Sequence, residues 1–287
     1  MPGILYVVAT PIGNLEDITL RALRLLKEAD LIAAEDTRVT RKLLSHYDIH
    51  TPLTSYHQHT RGDKLDSLLQ RLREDQTIAL VSDAGMPGIS DPGGDLIAAA
   101  IALGARVYTV PGPNAALSAL VISGLPTDRF AFEGFAPRGT SERREFFENL
   151  RQERRTLLFY ESPNRVQKTL EEIYRTFGER PVAIARELTK LFEEVFRGSL
   201  SEALLHLSAR APRGEYCLVV AGAPDAPPAT EEETAQSLQA ALHSAIADGL
   251  SSRDAIQQVA DRLNLPRKFV YRTFLESGLK GGNRQKS

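Results

Sequence analysis

Through the first 125 residues, short apolar runs alternate with stretches whose apolar residues recur every three or four positions. Ile4 to Ala9, Leu31 to Ala34, Leu53 to Tyr56, Thr77 to Val81 and Arg106 to Val110 read as strands. Ile18 to Glu28, Thr40 to His46, Lys64 to Arg73, Asp95 to Leu103 and Ala115 to Ser123 carry helical spacing. Apolar strands separated by helices predict a mostly parallel sheet covered on both faces. From Phe130 the alternation resumes. Strands are expected at Phe130 to Phe135, Thr156 to Tyr160, Val182 to Arg186, Glu194 to Arg197 and Tyr216 to Ala221. Helices are expected at Glu142 to Leu150, Pro163 to Phe177 and Glu202 to Ser208. Ser162 before Pro163 predicts a capped helix start, a hydroxyl followed by proline at the first helical position. Glu187-Leu-Thr-Lys190 joins two strands that pair as a hairpin, which gives this second sheet mixed direction.

Ala223-Pro-Asp-Ala-Pro-Pro-Ala-Thr230 is a linker by composition. Three helix patterns follow, Glu231 to Asp248, Arg253 to Leu263 and Arg267 to Glu276, with a capping box at Ser251 and Asp254 and a tight turn at Leu263 to Arg267. The expected fold class is therefore α/β, with an N-terminal domain over 1–125 on a mostly parallel sheet and a second over 126–222 on a mixed one. A linker over 223–230 leads to a small basic helical domain of helix-turn-helix type over 231–287.

The stretch Val81 to Gly94, VSDAGMPGISDPGG, dominates the first domain. Four glycines and two prolines lie between an apolar strand and an apolar helix. Ordinary strand-to-helix connections take about 2–6 residues, and this one is longer and stiffer. Glycine lets backbone approach a ligand closely, and proline holds the loop at fixed φ. Thr10 to Asn14, Glu35 to Arg38 and Pro111 to Asn114 also follow strands. Parallel winding brings all four loops to one rim, where α/β sheets bind ligands. No G-x-G-x-x-G and no P-loop follow the strands, so a ligand there is not expected to be held by its phosphates.

Composition narrows the class. The chain has 287 residues, 42% hydrophobic and 25% charged, with a net charge of −2. Met-Pro-Gly-Ile-Leu-Tyr enters a strand at once, so no signal peptide is expected, and no apolar run is long enough to span a membrane. One cysteine, Cys217, excludes an internal disulfide and a cysteine zinc site and fits a reducing cytosol. It reads as core. His57-Gln-His59 makes a poor metal site without cysteines, and no metal is expected. Global charge says nothing for nucleic acid, but Ser251 to Ser287 carries a net charge of +5. That run is either a solvated face or a nucleic-acid contact.

The ordered set VVATPIGNLEDITLRAL, AEDTR, SDAGMPGISDPG, VPGPNAAL, FEGFAPR, FYESPNR, ARELTK and GEYCLVVAG resembles the tetrapyrrole-methylase superfamily over about residues 4 to 222. Within it the chain is similar to the group that modifies small-subunit ribosomal RNA. Ser-Asp-Ala in place of the more usual Gly-Asp-Pro is typical of that group. The resemblance implies S-adenosylmethionine as cofactor, a cleft between two domains, homodimers, and 2′-O-methylation of a cytidine in the small-subunit (16S) rRNA, free or in the 30S subunit. It implies cofactor contacts at Pro11, at Ser82, Asp83, Ala84, Gly85, Met86 and Ile89, at Asn114 and Ala115, and at Tyr160, Glu161 and Cys217. The alternatives are a tetrapyrrole or other small-molecule methyltransferase on the same fold, and a non-catalytic ribosome-binding module.

Methyl transfer from a sulfonium needs alignment, while a ribose hydroxyl benefits from a base or a positive field. Candidate bases are Asp36, Asp83, Glu161 and Glu187; candidate cations are Arg38, Arg138, Arg186 and Lys190. The catalytic set adopted is Asp83, Glu161, Glu187 and Lys190. Asp83 reads equally as an acceptor of local hydrogen bonds, Asp36 as a helix cap, and Glu187 with Lys190 as a solvated hairpin tip. For RNA, Arg38, Arg138, Arg143, Arg144, Arg165 and Arg186 are expected contacts, with Arg267, Lys268 and Arg272 on the last helix. Glutamates interleave from Glu142 to Glu153, so a salt-bridged surface helix is the competing account. Phe132 and Phe135 read as core or as base-stacking rings.

Overall fold

The computed structural model describes residues 2–57, 62–209, 211–224, 231–263 and 265–278. Five strands, β1 (Ile4–Val8), β2 (Leu31–Ala34), β3 (Leu53–Ser55), β4 (Thr77–Val81) and β5 (Arg106–Val110), form a sheet in the order β3-β2-β4-β1-β5. Every pairing in it is parallel. The inner strands β2 and β4 are buried along nearly their whole length because both faces are covered, whereas the edge strands β3 and β5 carry polar residues. Ala79 and Val81 point to a cluster built on Leu25, Leu26 and Leu43 from α1 (Leu20–Glu28) and α2 (Thr37–His46). Ile78 and Leu80, one residue out of phase, point to Leu68, Leu72 and Leu96 from α3 (Asp63–Arg73) and α4 (Gly94–Ala102).

The helix α5 (Ala115–Ser123) behaves differently. Its sequence, AALSALVIS, has no polar face. Ala116, Ala119 and Leu120 pack against Leu158, Ala183, Ala185, Cys217 and Val219 of the second sheet. The last helix of the first half is thus core for the second half, and small residues on the sheet allow close approach. This packing makes Met1–Ala223 a single compact unit.

The second sheet joins β6 (Phe130–Phe135), β7 (Thr156–Glu161), β8 (Pro181–Arg186), β9 (Glu194–Ser199) and β10 (Tyr216–Val220) in the order β6-β7-β10-β8-β9. Only β6 and β7 are parallel; β8 and β9 pair as the expected hairpin. Its outer face carries α6 (Thr140–Leu150), α7 (Val166–Phe177) and α8 (Leu200–Ser208) over Phe147, Phe159, Leu170 and Ile173. One expectation fails here. The helix α7 starts at Val166, not Pro163, and its cap residue Arg165 makes no side-chain capping bond. The Ser162 hydroxyl faces Glu161 Oε1 at 3.4 Å, and the Ser162 carbonyl accepts from the amides of Arg165 and Val166. Residues 163–165 are therefore a turn at the strand end.

The unit Pro224–Ser287 is a separate three-helix body. Leu238 and Leu242 of α9 (Glu231–Ala247), Ile256 and Val259 of α10 (Ser252–Leu263), and Val270 and Phe274 of α11 (Arg267–Glu276) share one core. Ser251 caps α10 through the Asp254 amide, but Asp254 returns the bond to the Ser251 hydroxyl at 2.6 Å instead of the Ser251 amide.

Candidate active site

The four loops expected at one rim are stitched together there. Thr10 and Gly85 exchange both backbone hydrogen bonds, at 2.9 and 3.0 Å, and the Thr10 hydroxyl donates to the Ser82 carbonyl at 3.0 Å. Gly85 sits at φ +81°, where a side chain would be strained. Asp83 Oδ1 accepts the Asp36 amide at 3.0 Å, and Glu35 Oε2 accepts the Asp83 amide at 3.2 Å. Asn114 caps α5 by accepting the Leu117 amide at 2.9 Å. The hairpin between β8 and β9 closes on this rim from the second sheet. A Cβ at Gly13 would lie 2.5 Å from Lys190 Cγ and 2.8 Å from Thr189 Oγ1, so only glycine lets the first loop meet the hairpin tip.

Between the rim and the ends of β7 and β10 lies a cavity of about 310 Å³. Ala84, Gly85, Met86, Ile89, Asn114, Ala115, Tyr160, Glu161 and Cys217 line it. Pro11, Ser82 and Asp83 do not: the bridge between Thr10 and Gly85 buries Pro11 and Ser82 behind the wall and turns the Asp83 carboxylate toward the Asp36 amide. The cavity also takes in Phe135, one of the two candidate stacking rings, and residues not singled out from sequence, among them Ile12, Ser90, Asp91, Leu188 and Glu215. Asp91 stands inside the quoted SDAGMPGISDPG stretch, and Glu215 directly precedes a strand whose end was expected at the site. Those were the signals available.

The second-sheet wall is electrostatically closed. The Glu161 side chain is fully buried; its Oε1 accepts the Ser162 amide at 2.8 Å. Its Oε2 accepts from Arg165 Nη2 at 3.1 Å and the Thr169 hydroxyl at 2.7 Å. Glu187 Oε1 accepts from Lys190 Nζ at 2.9 Å and from the Glu215 amide at 3.0 Å. Burial works to raise the Glu187 carboxyl, but these donors together hold it below the ordinary range. Neither Glu187 nor Lys190 lines the cavity; their neighbours Leu188 and Glu215 do. Burial pushes the Cys217 thiol up to about 12, so it is core as expected and no thiolate. Tyr160 is raised to about 12, chiefly by burial, and its hydroxyl accepts the Ala116 amide at 3.1 Å.

The first-sheet wall is the reverse. Glu35 and Asp83 are both raised, first by burial and then in part by neighbouring carboxylates. Asp91 is raised to about 7, by burial first and then by the charges of Glu35 and Asp83. Asp36 lies apart from this trend: the Arg38 guanidinium forks onto it and holds it far below the carboxylate range. His57 is described, whereas Gln58 and His59 lie outside the described residues. Among the described residues no three His, Cys, Asp or Glu side chains are grouped to hold a metal ion.

The arginines expected to meet RNA divide in two. Arg138 and Arg144 are exposed, as are Arg267, Lys268 and Arg272 on α11. Arg143 is half-buried and donates to the Arg138 carbonyl at 3.2 Å. Arg38 is exposed but committed to Asp36. Arg165 and Arg186 are drawn into the fold by ion pairs with Glu161 at 3.1 Å and Glu194 at 2.9 Å. Of the two aromatic candidates, Phe132 packs with the α5 core, whereas Phe135 is 52% exposed on the cavity wall.

The cavity lies between a parallel and a mixed sheet of one compact unit and is lined in part by a glycine- and proline-rich loop, an α/β architecture of methylase type. Residues 4–204 match the Tetrapyrrole (Corrin/Porphyrin) Methylases, and the chain belongs to that family. It is a methyltransferase. It is 49% identical over 274 residues to a protein of Halalkalibacterium halodurans named ribosomal RNA small subunit methyltransferase I, covering 95% of this chain and 94% of that one. A Bacillus subtilis protein of the same name is 44% identical, over 94% and 93%. A Thermotoga maritima protein, also so named, is 49% identical over 77% of this chain and 99% of its own. The fold is shared with a cobalt precorrin-4 methyltransferase at 18% identity and a TM-score of 0.59, over 76% of this chain and 94% of that one.

Proposed function

We propose that the protein transfers a methyl group from S-adenosylmethionine to the ribose 2′-oxygen of a cytidine in small-subunit ribosomal RNA. The observation that carries the reading is the cavity itself, formed largely by residues of the same motifs that relate the chain to RNA-methylating relatives. Its donor set suits that cofactor. Ile12, Met86, Ile89 and Leu188 offer apolar surface to an adenine ring and thioether chain. S-adenosylmethionine supplies an activated methyl group on a positive sulfur. The chain's contribution is to hold donor and acceptor in line in a dry, rigid cleft.

RNA enters, in this reading, past the half-exposed Phe135 ring, with phosphates held by Arg138, Arg143 and Arg144 and by the basic face of α11. Exposed Leu117 (48%) and Val121 (73%) on α5 leave apolar surface for a second copy, which supports a homodimer. No helix among the described residues is long and apolar enough to cross a membrane; we place the protein in the cytoplasm with its ribosomal substrate.

The test is methyl transfer from labelled cofactor to purified small subunits and, separately, to protein-free rRNA, with the product mapped by nuclease digestion and mass spectrometry. A ribose-methylated cytidine is expected from subunits, with RNA binding that weakens steeply as salt rises. Cofactor binding without RNA label points instead to a small-molecule acceptor, and absence of cofactor binding to a non-catalytic module.

A further inference from the structure

We propose that Asp91 is the catalytic base that takes the proton of the acceptor hydroxyl, an assignment that rests on the ribose-methylation reading above. Three carboxylates line the cavity: Asp91, Glu161 and Glu215. Glu161 is spent on Arg165, Thr169 and the Ser162 amide. Glu215 receives Lys190 Nζ at 3.0 Å, and its side chain is 77% exposed at the rim. Asp91 is half-buried and makes no ion pair among the described residues. Among the described residues the Ser82 hydroxyl, on its own loop, is its hydrogen-bond partner.

The groups that face it complete the case. Glu35, from the loop after β2, and Asp83, earlier in the same loop, place negative charge beside it. Tyr160, from β7 on the opposite wall, is close enough to feel its charge and is itself held neutral. His57 offsets part of the charge on Glu35 and Asp83, and Arg38 part of that on Asp83, while Asp91 itself is raised to about 7, first by burial and then by the charges of Glu35 and Asp83. A base serves best when its pKa lies near the working pH; an ordinary carboxylate near 4 would hold a proton too weakly. The side chain that burial and like charge make basic is thus also one that lines the cavity and makes no ion pair among the described residues.

The step balances. The hydroxyl O–H bond breaks and its proton passes to the Asp91 carboxylate. The oxygen pair forms the new O–C bond to the methyl carbon. The C–S bond breaks with its electrons on sulfur, which leaves as a neutral thioether, and Asp91 returns its proton to water. No oxidant or reductant is involved.

The experiment compares wild type, Asp91→Asn and Asp91→Glu in three readouts. These are single-turnover methyl transfer to small subunits between pH 5.5 and 9.5 (roughly the span over which a base near 7 titrates), calorimetric binding of S-adenosylhomocysteine, and carboxyl titration by NMR. Wild-type transfer is expected to rise with pH through about 7, with the Asp91 carboxyl titrating in the same range. Asp91→Asn should bind S-adenosylhomocysteine within about twofold of wild type, which also reports that it folds. It should transfer methyl about 10²–10⁴-fold more slowly and lose the acid limb; Asp91→Glu should restore part of both. An unchanged rate overturns the assignment. So does a rate loss matched by an equal loss of S-adenosylhomocysteine binding, which would make Asp91 a ligand of the cofactor's ammonium group. If Asp91→Asn does not fold, a wild-type Asp91 carboxyl that titrates near 4 overturns it alone. A wild type that binds cofactor but labels no RNA refutes the ribose-methylation reading, and this assignment with it.

Discussion

On the wall built from β7 and α7, both oxygens of the buried Glu161 carboxylate are committed. Glu161 meets an arginine, a hydroxyl and an amide, and nothing is left for a ligand. On the facing side Asp83 and Asp91, from the loop after β4, are brought beside Glu35 from the loop after β2, and all three carboxyls are raised, first by burial. Burying a carboxylate is tolerable when partners replace water and costly when they do not. One sheet therefore spends its charge on holding strand and helix together, while the other keeps a raised carboxylate, Asp91, on the cavity wall. The contrast separates scaffold from chemistry within a single site.

Removing the committed carboxylate should produce the largest effect. Glu161→Ala removes the counter-charge of the Arg165 guanidinium, leaving it the Ala136 and Pro137 carbonyls, and leaves the Thr169 hydroxyl without its acceptor. Breaking one half of a buried pair costs about 3–5 kcal/mol, and Tm shifts by about 2–4 °C per kcal/mol in a chain of this size. Thermal unfolding should show a fall on the order of 10 °C. A melting point within about 2 °C of wild type would mean that Glu161 is not structural, and the contrast between the walls would fail.

A smaller effect, confined to function, is expected at the cavity mouth. Phe132 and Phe135 both contact the Tyr160 ring, with centroids at 4.9 and 5.7 Å, yet only Phe135 is substantially exposed. Stacking on one base is worth about 1–3 kcal/mol. Phe135→Ala should therefore lower kcat/KM for ribosomal substrate about 5- to 150-fold while S-adenosylhomocysteine binding stays the same. A kcat/KM equal to wild type would remove the ring from the RNA path.

The two walls were unequally legible in the sequence. Strands β2, β4, β5 and β6 fall on their expected bounds because apolar runs bracketed by polar residues need no tertiary information. The convergence of the four loops follows from parallel winding, and residues such as Met86, Asn114 and Tyr160 reach the cavity as the family resemblance implies. What failed depended on contacts between distant segments. Ser162 and Pro163 carry a helix-start signal, but Glu161 takes the Ser162 amide and the helix begins later. Arg165 and Arg186 look like free cations until their partners fold against them. Asp91 is one more acidic residue in a glycine-rich loop until Glu35 and Asp83 are brought beside it.

The first-sheet wall makes a last prediction, about stability. Asp91 has an ordinary value of 3.8 in the unfolded chain and about 7 in the fold. Between those limits the folded protein holds a proton that the unfolded chain has released. Stability therefore falls as pH rises through this window, the opposite of an ion-paired carboxylate. Below the window both states are protonated and the burden is absent; above about 7 it is complete. Solvent reaches the half-buried side chain, so the discounted burden is about 1 kcal/mol, or about 2–4 °C in Tm. Asp91→Asn, which cannot ionise, should melt higher than wild type by that amount at pH 8, with the advantage disappearing as pH is lowered toward the unfolded-state value. A variant slower in methyl transfer yet more stable only where Asp91 would be charged marks a carboxylate kept for its chemistry. Equal melting curves at both ends of the window would show that the fold had already compensated that charge.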